Sequence, residues 1–324
     1  DVYKRQRLAA LRRVAALREG VRRLRCVLAE RALQYADCAM PSFTHFQPAQ
    51  VVTFGHYLLA VDELLAEFLH ALSGVERLLQ RSPLGAGPAG GVQTPVDRRR
   101  LGELAGFVEV VENTLYASGG RFFALALAGV VASFLAELSR VVDDFIRWNS
   151  PEFGYVEAPG EHVSTSSIMP HKRNLVTLEV LRARAGEALG HYTALGAVVM
   201  KVGLGYSLDL QEATRHLWAV LDIAVEGVEV LRDFVEKMGF NCGRARADAE
   251  RFFTTSADTA ERASLGGKPF RTAYFELAEA IKRGEAALLP VEEALRRPAL
   301  GSANPEEVRR AASRRLAFCR PGAL

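Results

Sequence analysis

The clearest signal along the chain is a set of large apolar positions that alternate steps of three and four: Leu58, Val61, Leu65, Phe68, Leu72, Val75 and Leu79. Such a repeat keeps one stripe on one side of a helix and predicts a long helix packed against nearly parallel neighbours. Leu217, Leu221, Ala224, Val228, Leu231, Val235 and Met238 repeat the pattern and predict another. Nearer the start, Leu8, Leu11, Ala15, Val21, Leu24 and Leu28 recur at helical spacing among arginines, which read as a solvated face. Period-two alternation, the mark of half-buried strands, is almost absent. The pattern predicts an all-α protein organised as a long-helix bundle.

The breaks between these helices carry their own signals. Pro41 and Pro48 stiffen residues 41–50, PSFTHFQPAQ, and predict a loop, after which Thr53 caps the next helix. Residues 82–97 are rich in Gly and Pro and form a connection. Gly85, Gly87 and Gly90 have GxGxxG spacing there, but no strand precedes them and Pro88 interrupts them, so no dinucleotide site is expected. Helices resume near Arg98 and run through the apolar stretch 122–135 to Trp148. Residues 149–169 form a loop of about twenty residues, a length typical of lids and binding segments, with Gly154, Gly160 and a Ser/Thr run giving it mobility. A helix follows Asn174, its Gly186, Gly190 and Gly196 suited to close helix approach, and GYSLDLQEAT at 205–214 is a short break before the last long helix. The expected organisation is a central long-helix bundle domain with its loops over 1–240 and a smaller C-terminal helical domain over 241–324.

Composition narrows the function classes. A chain of 324 residues with 49% hydrophobic content can bury a large core. Its 41 basic and 38 acidic residues nearly balance, so neither nucleic acid nor a membrane is expected as a partner. Stretch 122–135 is shorter than the ~20 residues that span a bilayer, and no transmembrane helix is expected. Cys26, Cys38, Cys242 and Cys319 show no CxxC or Cys/His spacing. They read as reduced thiols in a cytoplasmic setting, with no disulfide framework and no metal site. Asp1 leads straight into the first helical pattern without a signal-type apolar region.

The chemistry concentrates in residues 159–181, PGEHVSTSSIMPHKRNLVTLEVL. Hydroxyls and fixed cations just ahead of a helix N-terminus suit an anionic substrate, because backbone N–H groups and the helix dipole are positive there. SSIMPHKRN resembles the signature loop of the fumarase/aspartase superfamily, whose members eliminate fumarate from succinyl-type substrates. THFQPAQVVTFGHYLLA, SPLGAGPAG, ENTLYASGGRF, SPEFGYVE and GYSLDLQEAT resemble, in the same order, successive blocks of the argininosuccinate lyase family.

That resemblance implies an all-α lyase that cleaves argininosuccinate to arginine and fumarate without a cofactor or metal, as a homotetramer whose active sites are shared between chains. Carried over by position, Ser166 is the implied base, and Lys172 and Asn174 hold the reacting carboxylate. His45 is the implied loop histidine, oriented by Glu179. Thr44, Gln47, Ser167 and Met169 are implied substrate contacts, and Tyr206 and Gln211 meet the arginine-derived part. Family members carry an N-terminal domain with a Ser-Arg-Asn motif ahead of the resembling region, and no such block is found here. Thr165 stands where a Gly usually precedes the serines, and Thr214 where a Lys often follows DLQE. MPHKRN is the form typical of adenylosuccinate lyase, which makes that enzyme or a related cycloisomerase the rival within the superfamily. A non-catalytic, crystallin-like relative is the rival of another class.

Overall fold

Both apolar repeats become the buried edges of long helices. In the computed structural model, which describes residues 2–319, α2 (Phe54–Leu79) buries Leu58, Val61, Leu65, Phe68, Leu72 and Leu79, and α7 (Asp209–Lys237) buries Leu217, Leu221, Ala224, Val228, Leu231 and Val235. Thr53 Oγ1 accepts a hydrogen bond from the His56 amide at 3.1 Å and caps α2, as expected.

The first helix, α1 (Val2–Gln34), departs from its expected face. Its buried stripe is Ala10, Val14, Leu17, Val21, Leu24 and Leu28, whereas Leu8 and Leu11 are half-buried and Ala15 is exposed. In a segment made mostly of Ala, Leu, Val and Arg, two stripes fit the helical period, and packing selects the one through Val14 and Leu17. The arginines are not simply a solvated face. Arg13 pairs with Asp222 at 2.7 Å, Arg18 with Glu76, and Arg23 with Glu229.

The remaining helices are α3 (Arg98–Leu104), α4 (Thr114–Gly119), α5 (Phe122–Trp148) and α6 (Val176–Val199), then α8 (Cys242–Arg251), α9 (Ser256–Leu265), α10 (Phe270–Arg283), α11 (Val291–Ala294) and α12 (Pro305–Ala317). Strands occur among the described residues only as two-stranded pairs: β1 (Ala39–Thr44) with β2 (Gln47–Thr53), β3 (Arg81–Ser82) with β4 (Glu109–Val110), β5 (Val156–Glu157) with β8 (Gly239–Phe240), and β6 (Ser164–Thr165) with β7 (Arg173–Asn174). The stretch 149–169 is therefore not one unbroken loop.

On length and composition alone, α5, with 27 residues, could cross a bilayer. Stretch 122–135 understated it, because Leu138, Val141, Val142 and Phe145 continue the apolar run. Half of its most apolar window is buried inside the protein, and Phe134 stacks on Phe68 at 3.9 Å, as in a core helix.

The chain forms two compact units, one of residues 2–24, 64–146 and 162–233, the other of 25–63, 147–161 and 234–319. The stretch from 241 onward, expected as a domain by itself, shares its unit with 25–63 and 147–161. Because α1, α2, α5 and α7 each have residues in both units, no single cut in the sequence separates them.

In the first unit the bundle is laced by ion pairs between helices: besides the α1 pairs, Arg182 meets Asp143 at 2.6 Å and Arg184 meets Glu226. These side chains are partly exposed, so each pair contributes less than about 1 kcal/mol. In the second unit, aromatic rings form the core. Phe54 stacks on Phe240 at 3.7 Å, Tyr57 meets Trp148 edge-on at 4.6 Å, and buried Tyr155 donates its hydroxyl to Asp248 at 3.0 Å. Burial and the Asp248 carboxylate raise the Tyr155 pKa, so the phenol stays protonated. Gly55 lets helices approach closely here, since a Cβ would sit 2.5 Å from the Ala32 carbonyl oxygen.

The cysteines overturn their expected state. They form two disulfides, Cys26–Cys319 and Cys38–Cys242, both in the second unit. The partners are 293 and 204 residues apart, so no local spacing announces them. Folding brings their Cα atoms to 5.8 and 5.3 Å, within disulfide reach.

Candidate active site

Residues 41–50, expected as a loop, are the turn end of the β1–β2 hairpin. Thr44 pairs with Gln47, leaving His45 and Phe46 as the two turn residues, with φ of 54° and 59°. A two-residue turn with both φ values positive normally selects Asn-Gly. A His and a Phe held there each cost about 1–3 kcal/mol, and such strain concentrates at functional sites. Pro41 and Pro48 are tolerated because the sheet has only two strands, both edges. Thr44, His45 and Gln47 are exposed at the hairpin end, and the Arg147 guanidinium lies over the Phe46 ring at 4.6 Å.

The first unit carries the signature loop as a second small hairpin. Ser164 pairs with Asn174 and Thr165 with Arg173, and the Ser166 amide donates to the Lys172 carbonyl at 3.3 Å. Thr165, which replaces the family glycine, thus sits in a strand, where a β-branched side chain is at home. At the tip the Lys172 amide donates to the Met169 carbonyl at 3.0 Å. Ser166 Oγ accepts hydrogen bonds from the amides of Ile168 at 3.3 Å and Met169 at 3.1 Å. Two N–H dipoles aimed at one hydroxyl oxygen favour negative charge on it, which is what a serine needs to act as a base. Ser166 is half-buried, whereas Ser167, Met169 and Lys172 are exposed.

Asn174 closes this hairpin just ahead of α6, whose first turn carries Glu179 with its side chain exposed. The N-terminal flank of α6, Leu175, supplies no side-chain cap. Positive helix-end potential there remains available to an anion.

Tyr206 and Gln211 belong together: Gln211 Nε2 donates to the Tyr206 hydroxyl. The break that carries Tyr206 is seated through Gly119, where a Cβ would lie 1.8 Å from the Leu204 carbonyl oxygen, so only glycine fits. Gln211 lies in the first turn of α7, and Ser207 bonds to Asp209, holding that carboxyl below its usual range. Thr214, in place of the family lysine, accepts a hydrogen bond from buried Gln6 of α1.

One residue went unremarked in the sequence. His162 is 4% exposed, its Nδ1 lies 2.7 Å from Thr177 Oγ1 and its Nε2 lies 3.1 Å from Asp233 Oδ2. It enters the signature hairpin two residues before Ser164, and its only sequence signal is that position.

Ser166, Ser167, Met169, Lys172, Asn174 and Glu179 therefore lie on one hairpin and the helix it feeds, and Tyr206 and Gln211 form a bonded pair in the same unit. Thr44, His45 and Gln47 belong to the other unit, so the expected His45–Glu179 pair is divided between the two. A cavity of about 700 Å³ between Arg81, Arg98 and Phe107 includes none of these residues.

Residues 2–190 match the Lyase family. The chain is 77% identical over 315 residues to an argininosuccinate lyase of Pyrobaculum arsenaticum, covering 97% of this chain and 73% of that protein. Among solved structures it resembles an EDDS lyase in complex with formate, with a TM-score of 0.84 and 24% identity over 98% of this chain and 70% of that one. A class II fumarase from Schistosoma mansoni has the same fold, with a TM-score of 0.72 and 16% identity over 90% of this chain and 69% of that one. Identity that high over nearly the whole chain places this lyase, whose fold is shared with fumarase, in the argininosuccinate lyase family.

Proposed function

We propose that the protein cleaves argininosuccinate to arginine and fumarate by base-catalysed anti elimination through an aci-carboxylate intermediate. The observation that carries this reading is the pair of amides, from Ile168 and Met169, that converge on Ser166 Oγ. Removing a proton beside a carboxylate requires a base and then a home for the doubly charged intermediate. Ser166 supplies the base once its oxygen is stabilised as an alkoxide by those N–H groups. Lys172, just before the opposite strand, and Asn174, on it, hold the carboxylate as its charge grows, and one well-placed donor of this kind contributes about 3 kcal/mol to the transition state. His45, oriented by Glu179 of another copy of the chain, handles the leaving nitrogen. Thr44, Gln47, Ser167 and Met169 seat the succinyl part, and Tyr206 with Gln211 the arginine-derived part. No cofactor takes part.

We further propose a cytoplasmic homotetramer with sites shared between chains. Leu189 of α6 and Met200 at its C-terminal cap are 52% and 76% exposed, and Gly186, Gly190 and Gly196 on the same side have open space beside them. An apolar helix edge lined by glycines suits packing against a second copy. Two disulfides inside a cell fit a protein of hot environments.

The test follows fumarate absorbance with argininosuccinate and, separately, adenylosuccinate, alongside the native mass. Fumarate from argininosuccinate alone, at a tetramer mass, is expected. Release from adenylosuccinate alone would move the chain to the rival branch, and no release from either would favour a non-catalytic relative.

A further inference from the structure

The catalytic hairpin has both of its chain ends tied to a single buried imidazole. His162 lies at its entrance and Thr177 in the first turn of α6 at its exit, 15 residues apart in sequence, yet Nδ1 and Oγ1 are 2.7 Å apart. The other ring nitrogen reaches 71 residues ahead to Asp233 of α7 at 3.1 Å. A carboxylate oxygen only accepts, so Nε2 carries a proton. In the neutral ring Nδ1 is then the acceptor, and the Thr177 hydroxyl donates to it. With both nitrogens engaged and the ring 4% exposed, tautomer and rotamer are fixed together.

The stem between these anchors, Ser164 with Asn174 and Thr165 with Arg173, has only two residue pairs, too few to hold its own orientation in water. Orientation has to be imposed from outside. The ring does so at both ends at once, since it grips the entering strand through its own backbone and the departing helix through Thr177, and it fixes both to α7 through Asp233.

We infer that His162 is a positioning residue for the elimination: with Thr177 and Asp233 it clamps the base of the signature hairpin to α7, and so fixes where Ser166 and Lys172 are presented. It touches no substrate. This inference rests on the reading of Ser166 and Lys172 given above, and the experiment separates the two.

His162→Ala would leave a buried gap beside Asp233 and is a poor probe, so the informative pair is Thr177→Val, which removes the hydroxyl at nearly constant shape, and Thr177→Ser, which keeps it. Amide hydrogen exchange over residues 163–175 and steady-state fumarate release are measured on both, with Ser166→Ala as control. In Thr177→Val the hairpin amides are expected to exchange faster while α2 and α5 keep their wild-type protection. The same variant is expected to lose about 10–100-fold in kcat with KM little changed, as for a misplaced reacting group. Thr177→Ser restores both readouts, and Ser166→Ala lowers turnover by about 10²–10⁴-fold with exchange unchanged apart from the Ile168 and Met169 amides, whose acceptor it removes. Wild-type exchange in Thr177→Val overturns the clamp, and so does faster exchange with full kcat. If Ser166→Ala keeps its turnover, the serine-base reading fails, and the exchange data still judge the clamp.

Discussion

The Ser166 amide donates to the Lys172 carbonyl oxygen at 3.3 Å, so the hydroxyl and the ammonium side chains arise from facing positions of one hairpin. Neither can be presented without the other. In an elimination this coupling is useful, because the base must act at the moment when the neighbouring carboxylate gains charge and needs a cation.

Replacement of Ser166 by Ala should lower kcat for fumarate release by about 10²–10⁴-fold, the range for loss of a positioned base. KM should change far less. The hairpin should survive, since its stem pairs through backbone groups and the Ile168 and Met169 amides can turn to water at the exposed tip. Steady-state kinetics together with a circular-dichroism melt checks both halves. Full turnover in a folded variant would remove Ser166 from the mechanism.

Lys172→Met keeps the length of the side chain and deletes the charge. If the ammonium acts mainly on the intermediate, the loss appears in kcat, about 10²–10³-fold, with a small change in KM. A rise in KM at constant kcat would instead assign Lys172 to ground-state binding. An Arg at this position should rescue only in part, because a planar fork does not occupy the place of a compact ammonium.

Much of this was legible before folding, and what was not has identifiable causes. The α2 and α7 stripes could be read because large apolar residues recur there without a miss at steps of three and four. The α1 stripe was misread because Leu8 and Leu11 match Ala10 and Val14 in period, and only packing distinguishes them. The signature residues could be singled out because they are contiguous. The His45–Phe46 turn was missed because its residue types contradict its φ values, 54° and 59°, and what holds it lies in contacts made by the fold. His162 and the disulfides share another cause: their partners are 15 and 71, and 293 and 204, residues away, beyond any local spacing rule.

Stability should depend on pH through His56. Burial first, and then the Arg297 guanidinium, lower its pKa below the usual value of about 6.5. A base whose folded pKa is depressed takes up protons more readily when unfolded. The contribution is therefore complete above about pH 6.5 and is lost as pH falls toward the folded value. The melting temperature of wild type should drop through this window more steeply than that of His56→Gln. Parallel curves for the two proteins would show that His56 is not the group responsible.

The two disulfides should dominate resistance to heat. Cys26–Cys319 ties α1 to the residues just past α12, and Cys38–Cys242 ties the start of the His45 hairpin to the first residue of α8, so each closes a very long loop in the unfolded chain. Cross-links of this kind contribute about 2–5 kcal/mol each, more for longer loops in the chain-entropy account. Cys38→Ser with Cys242→Ser, or reduction of the wild type, should lower the melting temperature by several degrees while leaving the helical signal at 25 °C intact, since the aromatic core around Phe54 and Phe240 persists. Alkylation of the unreduced native protein followed by mass measurement gives the independent check: no cysteine among the described residues is free to react. Labelling at all four positions without reductant would contradict both bonds, and an unchanged melting temperature after reduction would limit them to a kinetic role.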